Sequence, residues 1–276
     1  MNLFDNHNHS EFSFDCHGSS VELSAKAAIE AGLAGITFTD HYDLKSPGMI
    51  ANGLTRDETF DINGQQTQID KMRKEEWCQG FKIMKGIELG LNKDCHEGLR
   101  MTLKENNFDE VIASLHYIDS TDPYHRHYYI GKGFREAYGH YLETINEEIH
   151  WLGDFDILGH FDYIVRYPDY PEVSILYRDF PDVLDEILRY LAYEGKALEI
   201  NTKTYQDYHG RTPVLDLNIL KRYQEFGGEA ISLGSDSHSP DKVSCGFVRT
   251  AAFLREQGFR YLTHFENRKL IMLPND

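Results

Sequence analysis

A chain of 276 residues can bury a large core, and its length suits a single α/β barrel, which needs about 250. With 28 Lys and Arg against 45 Asp and Glu, the formal charge of -17 argues against nucleic acid or an anionic membrane surface as partner, and a phosphorylated ligand would be repelled unless bound cations reverse the sign locally. Cys16, Cys78, Cys95 and Cys245 form no C-x-x-C pair, and neither an N-terminal apolar h-region nor a run of eighteen apolar residues occurs, so the expectation is a cytoplasmic protein without disulfide framework, zinc ribbon or membrane span.

The run Leu3-Phe4-Asp5 is apolar and extended enough for a strand, whose alternation turns His7 and His9 to one side. Ser19-Ser20 caps a helix that begins at Val21-Glu22 and runs to Gly32. The next strand ends in Thr39-Asp40-His41. Polar residues 42–68 read as a long loop, with a small strand pair at Thr59-Phe60-Asp61-Ile62, and a helix is expected from about Ile69 to Gln79. A strand over 81–90 then carries Glu88 near its end, a helical run spans about Glu97 to Asn106, and the strand from Asp109 closes on Ser114-Leu115-His116. Beyond the aromatic, His-rich loop 123–133, an amphipathic helix spans Phe134 to Leu152, and a further apolar run ends in Gly159-His160. A loop from Arg166 to Pro181, a helix from Asp182 to Glu194 and a strand at 197–201 follow; then come a helix over Val214 to Phe226 and a strand closed by Gly234-Ser235-Asp236-Ser237-His238. In the tail, a helix near Ala251 to Gln257 precedes Leu270-Ile271-Met272-Leu273, which is expected to pack on the barrel's bottom or edge.

Alternating strands and helices imply a parallel sheet, and a closed barrel gathers all its strand ends into one mouth. His7, His9, His41, Glu88, His116, His160, Asp236 and His238 lie at such ends, with Asp15 in the first loop. His140 and His150 in a helix, and His264 in the tail, read as solvated or hydrogen-bonded; His96, His125, His127 and His209 fall in loops, where a surface role is expected and a substrate role stays open.

These motifs, together with Ser13-x-Asp15 and Gly86-Ile87-Glu88, resemble those of the polymerase and histidinol phosphatase (PHP) superfamily along nearly the whole chain. Size, His17 and Glu199-Ile200-Asn201 resemble its histidinol-phosphate phosphatase branch most. The resemblance implies a single-domain distorted (β/α)7 barrel over 1–276 and three divalent metal ions, Zn with Fe or Mn as alternatives. Carried over, one metal takes His7, His9, Glu88 and Asp236; a second shares Glu88 and adds His116 and His160; a third takes Asp15, His41 and His238. Some members have a histidine where Asp15 stands, and an oxygen ligand there favours Fe or Mn at that position.

The implied reaction is hydrolysis of L-histidinol phosphate, in histidine biosynthesis, by metal-activated hydroxide. Asp236 or His238 is the candidate proton donor to the leaving group, and Arg166 and His17 are the candidate phosphate contacts. An acidic mouth with Asp43, Asp162 and Glu199 suits a cationic amino alcohol. Two alternatives stand beside this: a PHP phosphoesterase for nucleotides or other small esters, and a non-catalytic metal-binding PHP domain. No P-loop, H-E-x-x-H helix or G-x-S-x-G elbow occurs, and oligomeric state is not legible.

Overall fold

The computed structural model describes residues 2–51, 57–208 and 210–276, so His209 lies outside it. The strands are β1 (Phe4–Asn8), β2 (Gly35–Phe38), β3 (His41–Tyr42), β4 (Lys82–Gly90), β5 (Glu110–Ser114), β6 (Ile157–Leu158), β7 (Ala197–Asn201), β8 (Ile231–Gly234), β9 (Tyr261–Glu266) and β10 (Lys269–Pro274). Between them run α1 (Val21–Glu30), α2 (Pro47–Ala51), α3 (Ile62–Met72), α4 (His96–Glu105), α5 (Phe134–Leu152), α6 (Pro181–Glu194), α7 (Leu217–Glu225) and α8 (Phe247–Glu256).

The sheet follows the order β1-β2-β4-β5-β6-β7-β8-β9-β10, and its first seven members are parallel with at least one helix between successive strands. This is the expected (β/α)7 arrangement, and its distortion is local. Between β8 and β1 the ladder is reduced to a bridge at Asn8↔Ser237, with the His9 and Asp236 amides donating to the Ser237 and His7 carbonyls, each at 2.9 Å. Below that seam the Asn6 side-chain amide donates to the Leu233 and Thr263 carbonyls, replacing backbone pairing that the splayed strands cannot make.

Two apolar layers result from strand alternation. Ile36, Phe38, Ile87, Val111 and Leu198 face the helices, where Tyr138, Tyr141, Leu142, Ile145 and Ile149 of α5 recur at helical spacing. Ile112, Ile157, Ala197 and Phe265 form a separate cluster; Ile112 shares a strand face with His116, so this cluster is the barrel's filling beneath its mouth.

The chain departs from expectation most at the start of α3, at residues 59–62 and in the tail. Helix α3 starts at Ile62, not Ile69, because the Asp61 carboxylate caps it by accepting from Gly64 N at 3.0 Å; only Gln65, Ile69 and Met72 are buried, so its apolar period is too sparse to read. The expected strand pair at 59–62 is replaced by one antiparallel bridge, Asp43↔Glu58. The tail holds a strand absent from the expectation, β9, which pairs with β8 only at Ser232↔Thr263 and antiparallel with β10, placing Leu270–Leu273 at the sheet edge. No helix among the described residues is long and apolar enough to cross a membrane.

Candidate metal centre

Glu88 is the centre of the mouth, fully buried near the end of β4. Register places β3 alongside it, with His41 opposite Glu88, and the same strand pairs Glu88 with Ile112 on β5, four residues before His116. Glu88 Oε1 lies 3.1 Å from His116 Nε2 and 2.9 Å from His160 Nε2. Its Oε2 lies 3.2 Å from His7 Nε2, 3.5 Å from His9 Nε2 and 2.9 Å from His41 Nδ1. Five imidazoles from the ends of three strands and the loop after β6 thus converge on one carboxylate, two on one oxygen and three on the other.

The remaining three residues, Asp15, Asp236 and His238, close the same opening. Asp15 Oδ2 is 2.9 Å from His238 Nε2 and 3.6 Å from His41 Nε2, and the His9 ring stacks between His41 and His238 at centroid distances of 4.3 and 4.1 Å. Asp236 Oδ1 is 3.6 Å from His9 Nε2. Asp236 sits at φ +50°, in the left-handed region that few side chains adopt, held there by the hydrogen bond its backbone N–H donates to the His7 carbonyl.

These groups fit divalent cations better than they fit one another. His7 Nε2, His9 Nε2, His41 Nδ1 and Glu88 Oε2 are buried without a hydrogen-bond partner, although they stand within ion-pair distance. Buried polar atoms are otherwise almost always paired, so this orphaned set marks a place for an electrophile shared among them. Four triads have ligand atoms close enough together to share an ion: His9/His41/His238, His7/His9/Glu88, His41/Asp43/His116 and Glu88/His116/His160.

Charge supports the same conclusion. Burial would raise the Glu88 carboxyl, but His7, His116 and His41 outweigh it and hold Glu88 well below the usual range. Burial disfavours protonated His41, yet Glu88 and Asp15 push its ring up to about 10; His7 and His116 are raised in the same way by their carboxylates. Burial keeps His9 and His160 on the neutral side, the form that ligates metal. The cavity therefore demands positive charge while holding some rings ready as ligands.

A second set of residues orients the first. His7 Nδ1 meets Glu199 Oε1 at 2.8 Å, His116 Nδ1 meets Asp43 Oδ1 at 3.0 Å, and Ser13 Oγ lies 3.2 Å from His9 Nδ1, so the opposite nitrogen of each ring is aimed at Glu88. Sequence reasoning had Asp43 and Glu199 facing substrate; both instead support ligand rings. A Cβ on Gly234 would collide with the Glu199 carboxylate and His7 Cβ, and one on Gly90 with the Asp43 carboxylate, which explains glycine at these two strand positions. Asp162 is buried too, accepting from the Tyr205 and Thr204 hydroxyls at 2.6 and 3.2 Å.

Arg166 is not on the surface. It is buried, donates to Asp236 Oδ2 at 3.0 Å and bonds Thr204 Oγ1. Lys203, which the sequence did not single out, reaches Asp236 Oδ1 at 3.0 Å and His238 Nδ1 at 3.4 Å with its side chain 37 % exposed. Burial would raise the Asp236 carboxyl, but Lys203, His9 and Arg166 hold it well below the usual range. His17 is exposed on the loop beyond Asp15, and no hydrogen bond or ion pair ties it to the cluster among the described residues.

Outside the mouth, His96 is buried against Glu148 at 2.7 Å, correcting its expected place in a loop, and His264 stacks on Phe4 at 3.9 Å. His140 and His150 lie on α5, and His125 and His127 are exposed in short turns.

The PHP domain family model matches residues 5–203. The chain belongs to the PHP domain family. A histidinol-phosphatase of Lactococcus lactis subsp. lactis is 31 % identical over 274 residues, covering 98 % of this chain and 97 % of the relative. The crystal structure of histidinol phosphate phosphatase from that organism, complexed with Zn, L-histidinol and phosphate, superposes with a TM-score of 0.86 at 29 % identity, covering 98 % of this chain and 99 % of that one. A solved structure from Listeria monocytogenes shares the fold at 22 % identity, with a TM-score of 0.69 over 89 % of this chain and 99 % of that chain. Within this PHP chain all nine residues expected to ligate metal stand around one mouth, and the barrel's floor holds none of them.

Proposed function

We propose that this PHP protein is a phosphoric monoester hydrolase that releases phosphate from L-histidinol phosphate, a step of histidine biosynthesis in the cytoplasm, with 1–276 acting as one catalytic domain. The observation that carries the chemistry is Glu88, whose two oxygens face five imidazoles while its Oε2 and three of the facing ring nitrogens are buried and unpaired. The choice of substrate rests on the chain-long similarity to a relative solved with Zn, L-histidinol and phosphate.

His7, His9, Glu88 and Asp236 would hold one divalent cation, Glu88, His116 and His160 a second, and Asp15, His41 and His238 a third, with Zn the leading candidate and Fe or Mn suited to the third position by the Asp15 oxygen. Such cations, when bound, neutralise phosphoryl oxygens and lower the pKa of water.

The chain's own residues do the rest. Glu199 and Asp43 fix the rings of His7 and His116, so the ligand set is assembled before substrate arrives. Arg166 and Lys203, both on Asp236, present cationic donors for phosphoryl oxygens beside the cluster. His17 on the outer loop would add a contact when substrate occupies the mouth. With Arg166 and Lys203 on its two oxygens, Asp236 is ionised and can only accept a proton; His238, on the same rim, could give the departing alkoxide its proton only while its ring is not holding a cation.

Phosphate release measured on L-histidinol phosphate, other monoesters and diesters tests this reading. Preferred turnover of the histidinol ester is expected. Preference for a diester or nucleotide would move the protein to another PHP phosphoesterase activity, and no turnover by metal-replete protein would leave a binding domain.

A further inference from the structure

We infer that Asp122, held beside the metal ligands by Tyr163, is a cation subsite that binds the ammonium group of an amino-alcohol phosphate ester. The inference rests on the phosphatase reading above and assigns the residue that selects the substrate's alcohol.

Tyr163 connects the two ends of this site. Its ring lies 5.2 Å from His160 and 5.9 Å from His116, and the Arg166 guanidinium sits 5.1 Å from the same ring centroid. Its hydroxyl donates to Asp122 Oδ1 at 3.2 Å. One aromatic ring thus separates an anion-binding end, where Arg166 meets the metal ligands, from a carboxylate. A phosphate ester of an amino alcohol has the matching pattern, two negative charges and an ammonium three bonds from the ester oxygen.

Asp122 is set up for a partner that the chain does not provide. Tyr124 N donates to Oδ1 at 2.8 Å, the atom that also accepts from Tyr163, while Oδ2 has no hydrogen bond and Asp122 no ion pair among the described residues. Oδ2 is not among the buried atoms, so it is open to water and to a ligand's cation at the mouth. Tyr167 packs edge-on against Tyr163 at 5.1 Å and Tyr124 against Tyr167 at 5.4 Å, with Tyr124 60 % exposed, giving the carboxylate an aromatic wall at the mouth. Aromatic faces beside a carboxylate recognise ammonium groups and repel anionic leaving groups such as nucleotides. Burial already pushes the Asp122 carboxyl up, a cost that a bound cation relieves.

Capping of the short turn after Asp122 is the competing role, and Asn caps as well as Asp. Asp122→Asn therefore keeps the turn and removes the charge. In metal-loaded full-length protein, kcat/KM for L-histidinol phosphate relative to phenyl phosphate, whose leaving group is uncharged, is expected to fall about 10- to 100-fold, through KM, with a matching loss of inhibition by L-histidinol. Metal content and circular dichroism should match the parent. An unchanged ratio, or equal loss on both esters, overturns the subsite while leaving the phosphatase reading intact. A parent enzyme that turns over phenyl phosphate but not the histidinol ester overturns the substrate reading and the subsite together.

Discussion

The two ends of the barrel are both crowded with charge, yet only one completes its own bonds. At the floor, Asp109 accepts from Lys85 N, Arg73 and Asn267 N, and Asp156 accepts from Val111 N at 2.8 Å and Arg268 Nε at 2.5 Å. At the mouth, three unpaired imidazole nitrogens stand 2.9, 3.2 and 3.5 Å from the equally unpaired Glu88 Oε2. Satisfied carboxylates stitch strands together; unsatisfied ones wait for an ion. Glu110 is the floor's exception, for both of its side-chain oxygens lack a hydrogen-bond partner, and burial pushes its carboxyl well above the usual range, favouring the neutral form.

If this contrast is right, substitutions at the two ends fail differently. Glu88→Gln should abolish phosphate release and strip bound metal while leaving circular dichroism nearly native, since the site loses the carboxylate that two triads share and that five imidazoles face; retained turnover would break the contrast at its strongest point. Asp43→Asn or Glu199→Gln should cost roughly 10- to 100-fold in metal affinity or turnover, read by chelator competition, because each frees a ligand ring without removing it. Arg268→Ala at the floor should leave turnover per folded molecule unchanged and lower unfolding free energy by about 1.5–3 kcal/mol, as the buried Asp156 loses its guanidinium.

Glu110→Gln gives the smallest and most specific effect. A carboxyl raised by folding stabilises only below its unfolded pKa, and that contribution is lost as pH rises towards the folded value. Urea titrations from pH 5 to 8 should therefore find the variant gaining stability over the parent as pH rises. A constant difference would show that Glu110 is ionised and paired after all.

How much of this was legible in the sequence follows from distance along the chain. The strand-end histidines could be read because period-two alternation and barrel topology are local rules with one global consequence: His7, His41, His116 and His160 each close an apolar run, and all such runs end at one mouth. The supporting shell could not. Asp43 meets His116 across 73 residues and Glu199 meets His7 across 192, and one carboxylate among 45 acidic residues carries no mark of its partner. Lys203 was hidden for the same reason, lying just past β7, where only the fold brings it to Asp236. Helix α3 escaped because its buried face is too sparsely apolar, and β9 because it has a single ladder pair to the barrel.

The central claim, that the mouth is a cation cluster and the floor is not, is met most directly by anomalous diffraction from crystals of the metal-loaded protein. The account predicts three peaks, one of them on either side of Glu88 and the third beside Asp15 and His238. Peaks elsewhere on the chain, or none near Glu88 in protein that releases phosphate, would contradict it.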